Sequence, residues 1–146
     1  NGRMSALLVP WCTYTRPEVA HVGLYAGDLE ESSTAYDVYE KHLADVDRAI
    51  LEGSTTGYVR VLTAKGSDRI LGCTIVADHA GDMISEVTLA MNQGLGLAAI
   101  ALSIHPYPTV AEALRQVGDL FNRSKLTPAA RVLLRGLLSA RRKVAL

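Results

Sequence analysis

The sequence predicts an α+β domain, with strands early in the chain and helices late. Two β-rich runs, YVRVLTA from Tyr58 and RILGCTIVA from Arg69, are joined by a loop of hairpin length. After the DHAGD stretch that ends at Asp82, apolar residues recur every three or four positions, which is the spacing of an amphipathic helix. We therefore expect an antiparallel sheet flanked by helices.

The first strands are predicted from β-rich composition and turn residues. We expect a strand over residues 9–14, a turn at Arg16-Pro17 and a shorter extended piece over residues 21–25. Asp28 is expected to cap a short helix that runs through residues 30–33.

The next segments lead into the hairpin. YDVYEKHL, from Tyr36, alternates well enough to be a strand, and ADVDRAILEG, from Ala44, predicts a short helical or irregular crossing. Gly72, inside the second hairpin run, indicates a close backbone approach or a bulge.

Helices follow the hairpin. The first has an apolar stripe and is expected to end at Gln93-Gly94. The stripe consists of Met83, Ile84, Val87, Ala90 and Met91. LGLAAIALSI predicts a short helical turn, and TVAEALRQVGDLF predicts a longer helix. TPAARVLLRGLLSARR predicts a last helix with Thr127 as its cap and Pro128 in its first turn.

Composition indicates one soluble globular unit. The chain has 146 residues, 49% hydrophobic and 21% charged, with a formal net charge of zero. This balance excludes a disordered chain and a generally basic nucleic-acid-binding protein. The basic residues after Asn122 have no acid among them: they are Arg123, Lys125, Arg131, Arg135, Arg141, Arg142 and Lys143. Such a tail could touch an anionic surface or membrane, but we favour a docking helix with a solvated cationic face.

Cysteine usage and the missing motifs limit the chemistry. Cys12 and Cys73 have no metal-ligand or C-x-x-C spacing, so we expect both to be buried and unpaired. Such cysteine usage is typical of a cytoplasmic protein. No apolar run is long enough to span a membrane. The chain contains no G-x-G-x-x-G, phosphate-binding loop or G-x-S-x-G, so it carries almost no catalytic equipment of its own.

The most unusual stretch is HPYPTVAE, residues 105–112, called the proline segment below. Pro106 and Pro108 restrict the residues before them to extended conformations, so His105 and Tyr107 are stiffly held. Residues two apart in an extended chain project to the same side, which places the two rings about 6–7 Å apart. Aromatic–proline bonds are also candidates for the cis form.

Each candidate site residue in this segment also has an ordinary structural interpretation. Thr109 and Glu112 match the capping-box pattern T-x-x-E, so a helix cap and a catalytic role for Glu112 are equally supported. His105 and Tyr107, each taken alone, are more often surface or packing residues than catalytic ones.

Three blocks of the sequence resemble a known family. They are VPWCTYTRPEVAHVGL, GYVRVLTAKGSDRILGCTIVADHAGDMISEVTLAM and SIHPYPTVAEAL, in family order over about residues 9–121. Together they resemble the C-terminal dimerisation domain of the FAD-dependent pyridine nucleotide-disulfide oxidoreductases, which include lipoamide dehydrogenase and mercuric reductase. The T-x-P-E-V-A-x-V-G and P-T-x-x-E blocks are the specific ones.

The resemblance implies a homodimer that is completed by this domain. FAD, NAD(P)H and the redox cysteine pair would belong to a longer N-terminal part that this chain lacks. The proline segment would enter the active site of the partner subunit, and the isolated chain would be inactive. Apolar faces of the helices over residues 83–91 and 110–120 would supply much of the dimer contact.

The family's proline segment reads His-Pro-Thr-x-x-Glu, and this chain departs from it. The match of Pro108, Thr109 and Glu112 puts Tyr107 at the place of the catalytic histidine. The pKa of an unperturbed tyrosine lies roughly 3.5 units above that of a histidine, which is about 5 kcal/mol in the cost of holding the deprotonated form near neutrality. Tyr107 is therefore a poor general base. It could donate a hydrogen bond or help to hold a soft metal ion, and His105 could substitute as the base. The chain also ends without the adjacent cysteine pair of mercuric reductases, which makes mercury reduction doubtful.

We therefore expect residues 1–123 to form the dimerisation domain and residues 124–146 a basic helical extension. The expected catalytic residues are Tyr107, Glu112 and His105, with no nucleic acid or membrane as partner. A free-standing, non-catalytic interaction module is the alternative, in which Thr109 and Glu112 only cap a helix.

Overall fold

A computed structural model describes residues 8–126 and Arg135. Its sheet has five antiparallel strands in the order β1-β2-β5-β4-β3. The strands are β1 (Trp11–Thr13), β2 (Glu18–Gly23), β3 (Tyr36–His42), β4 (Tyr58–Ala64) and β5 (Ile70–Ala77). The helices are α1 (Ala26–Glu31), α2 (Asp47–Glu52), α3 (Ala80–Asn92), α4 (Leu97–Leu102) and α5 (Glu112–Ser124), with a 3₁₀ turn at Leu43–Asp45. The predicted α+β class is confirmed.

The predicted hairpin forms the centre of the sheet. Val59 pairs with Ile75 and Val61 with Cys73, and all four side chains are buried in the main core. Gly72 lies where the register between β4 and β5 shifts, and a Cβ there would collide with the carbonyl oxygen of Leu24. Both predicted reasons for this glycine, a close approach and a bulge, are confirmed.

Helices α3, α4 and α5 supply the apolar side chains that cover one face of the sheet. Most of the stripe on α3 is buried against β2 and β5, with Met91 partly buried, and Leu114, Val117 and Phe121 of α5 join the same core. These apolar faces are therefore used within the chain, and their share of the dimer contact stays a prediction. A five-stranded sheet with an apolar face needs cover from its own chain, and these helices provide it.

A smaller apolar cluster lies under α1. It consists of Leu29 with Leu62 and Leu71, separate from the main core. Asp28 is not the residue at the cap position of this helix, contrary to the sequence prediction. It lies at the third helical position, where its carboxylate accepts a 2.7 Å hydrogen bond from the backbone N–H of Tyr25. The helix accordingly begins and ends earlier than the sequence predicted.

The start of β2 and the burial of Cys12 differ slightly from what the sequence predicted. Strand β2 begins at Glu18 rather than near His21, since residues 18–23 pair continuously with residues 72–77 of β5. Cys73 is buried, but Cys12, on the edge strand β1, is only partly buried, and both thiols are free. The helix predicted from Thr127 lies outside the described residues. Within the described ranges, no helix is both long and apolar enough to cross a bilayer.

Candidate functional site

The proline segment connects α4 to α5 and lies at the surface. Ile104, just before it, is 98% exposed, and Tyr107 is 69% exposed. The Tyr107–Pro108 bond is cis, as is Arg16–Pro17. Ile104 and the segment thus present an aliphatic and an aromatic side chain to the outside.

His105 turns away from that exposed surface. Its Nδ1 lies 3.0 Å from the carbonyl oxygen of Ser103, and its Nε2 lies 3.1 and 3.2 Å from the carboxylate oxygens of Glu86 on α3. The imidazole is only 7% exposed. Both ring nitrogens therefore have partners within the same chain.

Tyr107 makes its polar contact on another helix. Its hydroxyl donates a 2.8 Å hydrogen bond to the carboxylate of Asp47 on α2. This bond and the charge of Asp47 raise the pKa of Tyr107 above the ordinary value for tyrosine, and the charge of Glu112 adds to the effect. His105 thus bonds to α3 and Tyr107 to α2, so the two side chains have their partners on different helices. At neutral pH the phenol is a hydrogen-bond donor.

The predicted capping box is absent. Thr109 donates its hydroxyl to the carbonyl oxygen of Pro106 at 2.8 Å, inside the proline segment. Helix α5 begins at Glu112, after a turn in which Ala113 bonds to Val110, so the glutamate is the first helical residue. A capping-box glutamate must lie at the third helical position to reach back to the cap. The cap interpretation of Glu112 is therefore wrong.

Glu112 is paired on its own helix instead. It is 8% exposed, and its carboxylate accepts a 2.5 Å hydrogen bond from Arg115, which also donates to Asp119 at 2.7 Å. The arginine thus bridges two carboxylates along one side of α5. This pairing keeps a nearly buried carboxylate compensated at the end of the proline segment.

A shallow groove runs beside the segment between α2 and α3. It has a volume of about 370 Å³. Its lining residues are Arg48, Glu52, His79, Asp82, Met83, Pro108, Thr109, Val110 and Ala111. Among the described residues, no three histidine, cysteine or acidic side chains are grouped to hold a metal ion. The metal-holding role of Tyr107 stays a prediction.

Sequence reasoning missed the partners of these side chains. Asp47 lies 60 residues before Tyr107 and Glu86 lies 19 residues before His105, so no local spacing connects them. Arg115 could have been found, because it follows Glu112 by three positions on a predicted helix, where side chains are neighbours.

Comparison with known proteins now gives the family. The family model of the pyridine nucleotide-disulphide oxidoreductase dimerisation domain matches residues 9–117. The dihydrolipoyl dehydrogenase of Mycoplasma pneumoniae is 40% identical over 111 residues, which are 76% of this chain and 24% of that protein. The mercuric reductase of Streptomyces lividans is 34% identical over 113 residues, 77% of this chain and 24% of that protein.

Solved structures show the same fold. An HOCl-induced flavoprotein disulfide reductase of Escherichia coli, in its Cu(II) complex, superposes with a TM-score of 0.73 at 24% identity, covering 77% of this chain and 25% of that one. LpdA of Mycobacterium tuberculosis superposes with a TM-score of 0.72 at 21% identity, with the same coverage. The chain spans about a quarter of the length of each of these relatives. It belongs to the pyridine nucleotide-disulphide oxidoreductase family, as the dimerisation domain of such a protein.

Proposed function

We propose that this domain serves a flavin-dependent NAD(P)H oxidoreductase, mercuric-reductase-like or dihydrolipoamide-dehydrogenase-like, and that its proline segment enters the partner subunit's redox active site. FAD and NAD(P)H would be held by an N-terminal part of the same protein. The protein would act as a cytoplasmic homodimer, and the chain alone would be inactive. The family match and the names of its relatives support this proposal.

The observation that carries the proposal is the exposure of Ile104 and Tyr107 around Pro106 and Pro108. Covering a large, almost fully exposed apolar side chain with another surface removes it from water, which lowers the free energy. Two prolines reduce the number of conformations that must be lost when the segment docks. A stiff segment with outward apolar side chains is therefore suited to insertion into a second protein surface.

Tyr107 would contribute a hydrogen bond rather than a base. Its raised pKa keeps the phenol protonated over the whole neutral range, so it can donate to a developing negative charge but cannot accept a proton readily. Glu112 would help to hold that protonated state, since its charge lies close enough to raise the same pKa. His105 is the third candidate, and its enclosed ring gives it less access than Tyr107.

The test is Tyr107→Phe in the full-length protein, with turnover scanned against disulfides, quinones and metal ions. Losing one hydrogen bond to a charged group, worth about 1.5–3 kcal/mol, should lower kcat about 10- to 100-fold with the better acceptors. Tyr14→Phe is the matched control, because Tyr14 is also highly exposed but lies before β2. Unchanged turnover in Tyr107→Phe would remove the chemical role of the hydroxyl.

A further inference from the structure

Where the chain enters the proline segment, an apolar side chain is exposed and the polar side chain next to it is buried. Ile104 is 98% exposed, whereas the imidazole of the next residue, His105, is 7% exposed. Burying a polar ring is unfavourable unless its nitrogens are hydrogen-bonded. The fold therefore uses His105 for a contact within the chain.

The partners of His105 are all acceptors. A backbone carbonyl oxygen lies at Nδ1, and the Glu86 carboxylate lies at Nε2. Each ring nitrogen therefore faces an acceptor within the chain. A general base needs a free nitrogen within hydrogen-bond reach of a substrate proton, and neither nitrogen is free in this arrangement.

Side chains, rather than the backbone, hold the segment in place. Within the described part of the chain, residues 104–109 make no backbone–backbone hydrogen bond to the sheet or to a helix. Two side-chain bonds reach other elements, from His105 to Glu86 and from Tyr107 to Asp47. The first is partly buried and the second is exposed, so the first is the firmer attachment.

We infer that Glu86 and His105 are positioning residues, whose pairing fixes the proline segment against α3 and thereby sets where the Tyr107 hydroxyl lies. The inference rests on the proposed function only for the purpose that Tyr107 serves. The placement of Tyr107 can be measured in the chain itself, so a failure here is distinct from a failure of the proposed function.

The test follows the ionisation of Tyr107 in the 146-residue chain by ¹³Cζ-tyrosine NMR, assigned by the signal that Tyr107→Phe removes. Asp47→Asn should lower the pKa of Tyr107, because it removes the carboxylate that raises it. Glu86→Ala should lower this pKa as well, because the proline segment is then no longer held against α3 and the Tyr107 hydroxyl loses its bond to Asp47. Adding Asp47→Asn to Glu86→Ala should lower the pKa of Tyr107 little further.

Two results would overturn the inference. One is a folded Glu86→Ala protein in which Tyr107 titrates as in the wild type. The other is a double variant whose change equals the sum of the single changes, since additivity shows that the sites act independently. If Glu86→Ala does not fold, His105→Ala removes the other half of the pair without altering α3, and the same two outcomes apply to it.

The matched control is His42→Gln. His42 pairs with Glu40 at the same 3.1 Å distance, but its side chain is 64% exposed and lies on β3. Its replacement should leave the Tyr107 titration unchanged. A similar shift in this control would mean that the signal reports general loosening of the chain, which also contradicts a specific role for Glu86.

Discussion

The hydroxyl of Tyr107 donates a 2.8 Å hydrogen bond to Asp47, while the ring that carries it stays mostly exposed. The bond attaches the proline segment to α2 without covering the aromatic face. A second surface could therefore pack on the ring while the hydroxyl keeps or exchanges its acceptor.

The Tyr107–Asp47 bond should give stability a pH dependence at the alkaline end. Asp47 raises the folded-state pKa of Tyr107. The contribution is therefore fully present below the unfolded value, near 10, and is lost as the pH rises through the folded value. The difference in Tm between wild type and Asp47→Asn should shrink as the pH rises above about 10. Parallel Tm curves for the two proteins would contradict the bond.

Removing Arg115 should destabilise the domain, because Glu112 is nearly buried and would lose its partner. We expect Arg115→Met to cost about 1.5–3 kcal/mol in the free energy of unfolding, measured with urea. Arg48→Met is the control, since the Arg48–Glu52 pair is exposed and should contribute less than about 0.5 kcal/mol. Equal costs in both variants would show that burial of Glu112 has no effect.

Two glycines should respond to alanine in opposite directions. Gly72→Ala places a Cβ against the Leu24 carbonyl, so the strand must shift, at a cost of about 1–3 kcal/mol. Gly27→Ala lies in α1 and meets open space, so it should stabilise the domain by about 0.5–1 kcal/mol. Urea unfolding measures both. A neutral Gly72→Ala would mean that the backbones at Leu24 and Gly72 are not closely packed.

The two thiols should differ in accessibility. Burial raises the pKa of the Cys73 thiol, so it should react with iodoacetamide only when the whole domain unfolds. Burial and the Glu18 carboxylate raise the pKa of the Cys12 thiol, which is less enclosed and should react slowly but first. Mass spectrometry at increasing urea concentrations measures the order. Labelling of Cys73 in the native protein at the rate of Cys12 would contradict the core packing.

The sheet and α3 could be predicted because their signals are local. Alternation in YVRVLTA and the three-to-four spacing of Met83, Val87 and Ala90 each depend on a few neighbouring residues and one buried face. The start of α5 could not, since T-x-x-E predicts a helix that begins at Val110, whereas the folded chain makes a turn there and begins the helix at Glu112. The orientation of His105 depends on Glu86, a contact that only the folded chain creates.

Under the proposal, each subunit completes the redox site of its partner. A heterodimer of the full-length protein tests this, with Tyr107→Phe in one subunit and an inactivated redox centre in the other. The only functional centre then belongs to the Tyr107→Phe subunit, and an intact Tyr107 is available only from its partner. The proposal predicts turnover per functional centre close to that of the wild type. Turnover as low as that of the Tyr107→Phe homodimer would show that the tyrosine acts within its own subunit and would contradict the proposal.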